Sequence, residues 1–421
     1  MIVVVPKARQ AGAAETRARI VIAAREMFIA YGYRSTSLRS IALTAGVSHP
    51  GLLKHFPSKD ELLATVVETL EGDNAEAYAR ITAAGEPGDL PFADIARRNE
   101  QTRGYLALFA ALTGEASSPA HPVHETMRER YARVTALATE AMEDAILHGT
   151  VSADRDPRGE AVRTTAAWDG LQLLEQYLPD RVDVVAMLEE RQSQWAFPIG
   201  WREVGARIPD AAPAAPRPLN EALPPEPEAG YAAGRRMRAR IVDDAMALFA
   251  EEGYGDTSLR DVAEKVGVSK STLMHHYPTK EALLSAVLAQ RDRTIQTRPS
   301  YSPAGSATEE LRALPAGAEE NAAAAPGLIE VYAVLSCEAV PASHPAHEYF
   351  EDRLTRALDV FGDLFRAAQA EGSLPPHRDP EHEAIWLVAL WDGLQYQWLY
   401  DRDAVDVAAH LRAHLRDVLP G

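Results

Sequence analysis

The chain has 421 residues and a formal net charge of −18, and its length suits two units of about 200 residues better than one hydrophobic core. So acidic a protein should not attract nucleic acid over its whole surface, although a local basic region still can. One cysteine excludes an internal disulfide, and no apolar run approaches the ~18 residues of a membrane span, so we expect a cytoplasmic protein without a membrane partner.

The first predicted helix carries Ile20, Ala24 and Phe28 on one stripe and ends at Gly32. The chain as a whole is rich in Ala, Leu, Glu and Arg and has few alternating β-branched runs. Both observations favour an all-α fold.

A helix-turn-helix pattern follows between Thr36 and Leu63. Leu38, Ile41 and Ala45 have the spacing of one buried helical face. Gly46 comes where a left-handed residue should end that helix, and Ser48 can cap the next short helix.

The same pattern returns without gaps from Thr257 to Leu284, at an offset of 221 residues. Gly267 then corresponds to Gly46, and Lys280 to Lys59. A lone helix-turn-helix pattern is weak evidence, but two copies in fixed register argue against a packed hairpin with no DNA role. The sequence therefore predicts that one polypeptide carries both heads that a DNA-binding dimer assembles from two chains.

The order of these patterns divides the chain into five parts. Seven prolines between Pro209 and Pro227 predict an extended, solvated linker. We predict a first helix-turn-helix head at 12–70, a first helical body at 71–200, the linker at 201–232, a second head at 233–291 and a second body at 292–421.

The charge is unevenly distributed along these parts. Residues 7–64 hold nine Lys/Arg and four Asp/Glu, residues 231–284 hold eight of each, and the rest of the chain is strongly acidic. DNA should therefore be repelled by the bodies and accepted at the heads.

Two sets of residues resemble a known family. The stretch F-x-x-x-G-Y-x-x-T-S-L-R-x-[IV]-A, followed by G-V-S and H-[FY]-P-[ST]-K-[DE]-x-L-L, resembles the DNA-binding domain of the TetR family of bacterial regulators. The residues from Trp168 to Gln172 and from Trp391 to Gln395 both read W-D-G-L-Q and resemble a motif of the ligand-binding and dimerising helices in one actinobacterial branch. The resemblance covers nearly the whole chain as two tandem TetR-like units, whereas family members usually dimerise from separate chains.

This resemblance implies that the second helix of each motif lies in the major groove of double-stranded DNA. Lys59 and Lys280 begin the following helix, where free N–H groups and a positive dipole favour phosphate. Lys270 has the chemistry to donate to guanine, and His55, His276 and Tyr277 are expected at the DNA backbone. The candidate DNA-binding residues are Thr36, Arg39, Ser48, His49, Pro50, Gly51, Leu53, Lys54, His55 and Lys59 in the first head, and Thr257, Arg260, Ser269, Lys270, Ser271, Thr272, Met274, His275, His276, Tyr277 and Lys280 in the second.

The resemblance also implies an effector pocket within the helical bodies, which we expect to take a small, largely apolar molecule. The candidate ligand-binding residues are Tyr105, Phe109, Met127, Tyr131, Trp168 and Gln172 in the first body, and Tyr332, Tyr349, Phe350, Trp391 and Gln395 in the second. The last two helices of each half should form a four-helix interface, which would make one chain an internal pseudo-dimer and a monomer in solution. That interface would join residues 158–178 and 182–195 to residues 380–400 and 404–419.

Two alternatives remain. An architectural DNA-binding protein without an effector would have fully packed bodies. A metal-dependent enzyme could use His121 and His124, which recur as His344 and His347, but a Pro-His-Glu helix start explains them without metal. No P-loop, dinucleotide fingerprint or nucleophile elbow is present, so we expect a transcriptional regulator, most simply a repressor, without a cofactor or enzymatic activity.

Overall fold

The computed structural model describes residues 7–33, 36–102, 105–119, 121–203, 205, 232–296, 305–324 and 326–420. Within these residues the regular structure is entirely helical, which confirms the all-α prediction. The proline-rich segment from Pro209 to Pro227 lies outside the described residues. None of the described helices combines the length and apolar character that crossing a bilayer would require.

Half one consists of a head, α1 to α4, and a body, α5 to α9. Their bounds are α1 Lys7–Tyr31, α2 Leu38–Thr44, α3 His49–Leu53, α4 Lys59–Ala84, α5 Phe92–Gln101, α6 Tyr105–Glu115, α7 His124–His148, α8 Pro157–Tyr177 and α9 Val184–Gln194.

Half two repeats this order with a head, α10 to α13, and a body, α14 to α18. Their bounds are α10 Ala232–Asp256, α11 Leu259–Val266, α12 Lys270–His276, α13 Lys280–Gln296, α14 Ala307–Ala324, α15 Pro326–Glu338, α16 His347–Ala370, α17 Pro380–Tyr400 and α18 Val407–Val418.

The two heads end their first helix at equivalent glycines. Gly32 follows α1 with φ of 78°, and Gly253 interrupts α10 with φ of 78° and ψ of 168°. Glycine adopts this left-handed region without the Cβ penalty of other residues. The first helix is held to its head by Ile20 and Phe28, which are both buried, as the stripe predicted.

The two halves pack where α8 crosses α17. A Cβ atom on Gly170 would lie 2.0 Å from the Ala389 carbonyl oxygen, and one on Gly393 would lie 1.7 Å from that of Ala166. Gly170 and Gly393 are the glycines of the two W-D-G-L-Q motifs, and Ala166 and Ala389 precede them by four residues. The contact is therefore the same in both directions, as in an isologous dimer interface.

A second crossing joins α6 to α15. Gly114 lies against the Ala333 carbonyl, where a Cβ atom would come within 2.4 Å. Tyr177 at the end of α8 donates to the Ser336 carbonyl at 2.6 Å, and Tyr400 at the end of α17 donates to the Thr113 carbonyl at 3.0 Å. The two halves thus exchange matching hydrogen bonds. The α8–α17 crossing lies within the predicted four-helix interface, whereas the α6–α15 crossing was not predicted.

Candidate nucleic-acid interface

The short helix α3 is fixed by one cap and one buried side chain. Ser48 accepts a hydrogen bond from the Gly51 amide at 3.1 Å, which satisfies one of the free N–H groups of the first turn. Leu52 is fully buried against the head. This anchoring leaves His49 and Pro50 exposed on the opposite face.

The second head builds α12 in the same way. Ser269 accepts from the Thr272 amide at 3.1 Å, and Leu273 is fully buried. Lys270 and Met274 project to solvent, and the remaining exposed members of this face are Ser271, Thr272 and His275. The surface is thus presented by a rigid scaffold, as base readout requires.

The preceding helices, α2 and α11, start at serine caps with reciprocal side-chain to backbone bonds. Ser37 caps α2 and Ser258 caps α11. Arg39 and Arg260 lie in the first turn of these helices and are exposed. Their guanidinium groups are therefore accessible to a base or a phosphate, as predicted.

The prediction that Thr36 and Thr257 contact DNA is wrong. Their side chains are 3% and 1% exposed. Thr36 donates to the Gly32 carbonyl at 2.8 Å, and Thr257 donates to the Gly253 carbonyl at 2.8 Å. The two hydroxyls therefore satisfy the carbonyl at the break after the first helix, and they are not presented on the surface of the head.

Lys59 and Lys280 have an internal role that the sequence did not predict. The Lys59 ammonium donates to the Tyr33 carbonyl at 3.0 Å and lies 4.3 Å from the centroid of the Tyr33 ring. The Lys280 ammonium donates to the Gly255 carbonyl at 3.1 Å and lies 4.1 Å from the centroid of the Tyr254 ring. Both ammonium groups therefore tie the last helix of a head to the loop after its first helix, and their assignment to phosphate remains only a proposal.

The residues expected at the DNA backbone are less accessible than those of the first turn. His55, His276 and Tyr277 are half-buried, whereas Lys54 is exposed. Burial, with smaller contributions from Arg238 and His275, lowers the pKa of His276. The cationic form of His276 is therefore disfavoured in the free protein.

Comparisons with known proteins decide the identity of these heads. Residues 20–66 and 241–287 both match the family described as bacterial regulatory proteins, tetR family. Residues 334–420 match the C-terminal domain of BetI-type transcriptional repressors.

The chain belongs to the TetR family.

Individual relatives support this assignment. The chain is 24% identical over 182 residues to the A-factor receptor protein of Streptomyces griseus, which covers 43% of this chain and 61% of that protein. It is 26% identical over 166 residues to the regulator SrpR of Pseudomonas putida, which covers 39% of this chain and 76% of SrpR. It is 28% identical over 185 residues to TtgR of the same species, which covers 40% of this chain and 83% of TtgR. Each of these relatives matches less than half of the chain.

Two solved structures are also similar. The ketosteroid transcriptional regulator KstR2 of Mycobacterium tuberculosis has a TM-score of 0.32 and 24% identity, with coverage of 41% of this chain and 93% of KstR2. AibR in complex with isovaleryl coenzyme A and operator DNA has a TM-score of 0.35 and 22% identity, with coverage of 44% of this chain and 98% of AibR.

In this TetR-family chain several of the aromatic residues predicted to bind an effector pack against a half-buried arginine in each body. In body one, Arg130 donates to Glu71 at 2.9 Å and lies 4.8 Å from the centroid of the Phe109 ring. Burial raises the pKa of the nearby Asp169, although Arg130 opposes that shift. The remaining candidates packed in this core are Tyr105, Met127 and Tyr131.

Body two has a corresponding charged cluster. Arg353 donates to Asp292 at 2.8 Å, and Tyr349 donates to the other oxygen of Asp292 at 2.7 Å. Tyr332 donates to Asp392 at 3.3 Å, and burial raises the pKa of Asp392 to about 6 against the charge of nearby arginines. Phe350 is fully buried beside these groups. A ligand at these positions would therefore meet charged side chains as well as aromatic rings in both bodies, and the expectation of a largely apolar molecule stays a prediction.

Trp168 and Trp391 of the two W-D-G-L-Q motifs lie at the edges of the cores. Each indole N–H is buried without a hydrogen-bond partner. Gln172 is buried and Gln395 is half-buried. The Tyr131 hydroxyl is likewise buried without a partner, so three of the predicted ligand residues have an unpaired polar atom.

Two cavities in the described part of the chain are lined by residues other than the eleven predicted ones. One, of about 550 Å³, lies between the end of α1 and the segment that follows α15. Met27, Ala111, Tyr254 and Pro341 contribute to its wall, so it borders both heads and both bodies. The other, of about 200 Å³, lies between α8, α9, α17 and α18.

The histidines of the metal hypothesis have structural partners. His124 stacks on Tyr400 at a centroid distance of 5.3 Å, and His347 stacks on Tyr177 at the same distance. His121 lies edge-on to the Tyr33 ring at 5.4 Å. Among the described residues no group of three or more His, Cys, Asp or Glu side chains is arranged to hold a metal ion. These histidines join head to body and half to half.

Sequence reasoning missed the joint between head two and body two. Glu338 at the end of α15 accepts hydrogen bonds from the Tyr254 amide at 2.6 Å and the Gly255 amide at 2.5 Å. Lys280 binds the carbonyl of the same Gly255. In the sequence, Glu338 occupies the position in half two that Glu115 occupies in half one. This recurrence does not reveal that Glu338 binds backbone amides.

Proposed function

We propose that this protein is a transcriptional regulator in which a single chain acts as a pseudo-dimer on one operator. The observation that carries the proposal is the α8–α17 crossing, at which Gly170 and Gly393 make matching close contacts between two halves that each bear a capped helix-turn-helix. Such a dimer places its heads on successive major grooves, about 34–36 Å apart.

We propose further that the two half-sites of the operator differ. Head one presents His49 and Pro50 at the start of α3, where head two presents Lys270 and Ser271 at the start of α12. An ammonium group favours guanine, whereas a proline edge offers only apolar contact, for instance with a thymine methyl. Each base pair read in this way is worth about 1–3 kcal/mol of discrimination.

We expect the binding of DNA to weaken strongly as the salt concentration rises. The exposed cations of the heads, among them Arg39, Lys54 and Lys270, would be the ones that displace counterions from DNA phosphates. The rest of the chain is acidic, so it repels DNA that is not docked at the heads.

For regulation, we propose that a small molecule in the 550 Å³ cavity releases DNA. The cavity borders Met27 and Phe28 at the end of α1, and it also borders Val340 and Pro341 of body two. A molecule there would set the position of head one relative to the other half. It can release DNA only by binding the released arrangement more tightly than the DNA-bound one.

The first experiment selects bound sequences from random DNA with the full chain, followed by light scattering of the complex. A pair of unlike half-sites bound by one chain of 45.9 kDa is the expected result. A perfect palindrome, or two chains on each operator, would overturn the single-chain proposal.

The second experiment screens compounds for release of that operator and repeats the screen with Ala111→Phe, which fills part of the cavity wall. Operator binding should survive the substitution, whereas release by an active compound should weaken at least tenfold. Unchanged release would place the effector elsewhere, and the tryptophan sites at Trp168 and Trp391 would then be tested by the same design.

A further inference from the structure

The 200 Å³ cavity lies at the interface between the two halves, and none of its described lining residues belongs to either head. Arg163 and Thr164 of α8 and Arg191 of α9 line it from half one. Trp386 of α17 and His414 of α18 line it from half two. A molecule held there would contact both halves at once.

Two polar groups in its wall have no partner. The Thr164 hydroxyl is fully buried and forms no hydrogen bond, and Nε2 of His414 is likewise buried and unbonded on a side chain that is 5% exposed. A buried polar group without a partner destabilises the folded state. We therefore expect water or a ligand in the cavity to form hydrogen bonds with these two groups.

The carboxylates around the cavity already have donors. Asp417 accepts from Arg155 and Arg378, each at 3.3 Å, and from the Gly200 amide at 2.9 Å. Glu160 accepts from Arg155 at 3.0 Å. Four carboxylates and three arginines line the cavity, and Arg155, Arg378 and Glu383 lie behind them, so the two signs of charge are balanced around it.

The guanidinium groups have donors to spare. Arg163 is paired with Glu160 at 3.1 Å through one nitrogen, and Arg191 with Glu383 at 3.0 Å through one nitrogen. Each guanidinium carries five N–H donors. Arg191 also lies 4.4 Å from the centroid of the Trp386 ring, which holds its plane in position. The cavity thus offers a surplus of hydrogen-bond donors, with the Thr164 hydroxyl as one more.

We propose that this cavity is a binding site for one small oxyanion, a carboxylate or a phosphate, held between Arg163, Thr164, Arg191 and His414. Charge-assisted hydrogen bonds to guanidinium groups are the strong contacts of such a site. Because the four residues come from both halves, the bound anion bridges the pseudo-dimer interface and stabilises it.

One such site is expected in each chain, because pseudo-equivalent residues of the two halves line the same cavity. At the offset of 223 residues, Arg191 corresponds to His414, Arg163 to Trp386, and Thr164 to Leu387. The hydroxyl and the second arginine therefore occur on the half-one side only, and the related positions of half two supply an aromatic ring and an aliphatic side chain.

The test measures thermal unfolding of the full chain with increasing acetate or inorganic phosphate, against sodium chloride at matched ionic strength. At ten times the dissociation constant, the melting temperature should rise by about 2 °C or more above the chloride series. Calorimetric titration of the same anions should give one site for each chain. No shift beyond chloride means a cavity that holds only water and overturns the proposal, as does a stoichiometry other than one.

Thr164→Val is the matched variant, because it keeps the shape of the side chain and removes the unbonded hydroxyl. Its melting temperature without anion should be unchanged or higher, and its anion-induced shift should fall by at least half. Thr165→Val on the next residue is the control, because its hydroxyl accepts from Gln397 at 3.0 Å. That variant should lose stability but keep the full anion shift, and equal anion shifts in both variants would overturn the proposal.

Discussion

Gly393 on α17 lies against the main chain of Ala166 on α8, so closely that a Cβ atom would stand 1.7 Å from the Ala166 carbonyl oxygen. Gly170 has the matching relationship to Ala389, at 2.0 Å. No side chain fits between these helices, and the neighbouring atom is backbone rather than a flexible side chain that could move aside.

Gly393→Ala should therefore destabilise the contact between the halves. We expect a loss of at least about 1–3 kcal/mol in the free energy of unfolding, measured by denaturant titration, because the two helices must separate to admit the methyl group. Gly72→Ala in α4 is the control, since no atom lies within 4 Å of its Cβ position. Alanine there should stabilise the helix by up to about 1 kcal/mol, and a similar loss in both variants would contradict the crossing.

Lys54→Ala and Lys59→Ala should separate DNA contact from head stability. Lys54 is exposed beside α3, whereas Lys59 binds the Tyr33 carbonyl and ring. We expect Lys54→Ala to weaken operator binding, to lower the slope of log K against log salt by about 1, and to leave the melting temperature unchanged. Lys59→Ala should lower the melting temperature of the protein. If Lys59→Ala changed only the salt slope, its principal role would be at phosphate.

Glu338→Gln should loosen head two from body two. The charged carboxylate accepts the amide protons of Tyr254 and Gly255, and such charge-assisted bonds contribute about 1.5–3 kcal/mol. Hydrogen exchange at these two amides should therefore accelerate at least tenfold. Glu330→Gln, which breaks an exposed pair with Arg402, should leave that exchange unchanged. If these two amides exchanged equally slowly in Glu338→Gln and in the unmodified protein, Glu338 would not hold head two to body two.

Stability should fall as the pH drops below about 6.5. Burial and then Arg191 lower the pKa of His414 to about 3, while burial lowers that of His344 and His410 to about 4. The unfolded chain binds these protons first, so the stabilisation is present above pH 6.5 and is lost as the pH falls through the folded pKa values. Asp392, with a pKa raised to about 6, opposes this trend, as do other carboxyl groups whose pKa burial raises, among them Asp169 and Glu175.

The measurement is denaturant unfolding at pH 7, 6, 5 and 4, with His414→Gln for comparison. The variant should show a slope smaller by about 1.4 kcal/mol per pH unit between pH 6 and pH 4. Parallel curves would mean that His414 does not titrate as its surroundings indicate.

Replacing residues 48–55 with the sequence of residues 269–276 should change the preferred operator. Both segments begin at a serine cap and bury one leucine, so the graft keeps the packing of the head. The chimera should favour a palindrome built from the second half-site over the parent operator. If the unmodified protein already prefers a palindrome, then the two heads read the same bases and the graft should have no effect.

The sequence by itself determined the helices of the heads and their repetition. The spacing of Leu38, Ile41 and Ala45, the caps at Ser48 and Ser269, and the left-handed glycines all depend on contacts within a few residues. Local patterns of this kind are visible in sequence because helix periodicity and capping are short-range effects. The same reasoning identified the exposed first turns of α3 and α12.

Only the tertiary structure decided which residues that are distant in sequence contact each other. It buried Thr36 and Thr257, turned Lys59 and Lys280 onto carbonyl oxygens, and placed Glu338 on the amides of head two. A threonine or lysine near a motif has the same sequence pattern whether it faces solvent or a backbone carbonyl. The choice between these depends on how helices pack over hundreds of residues, as does the cavity that unites Thr164 with His414.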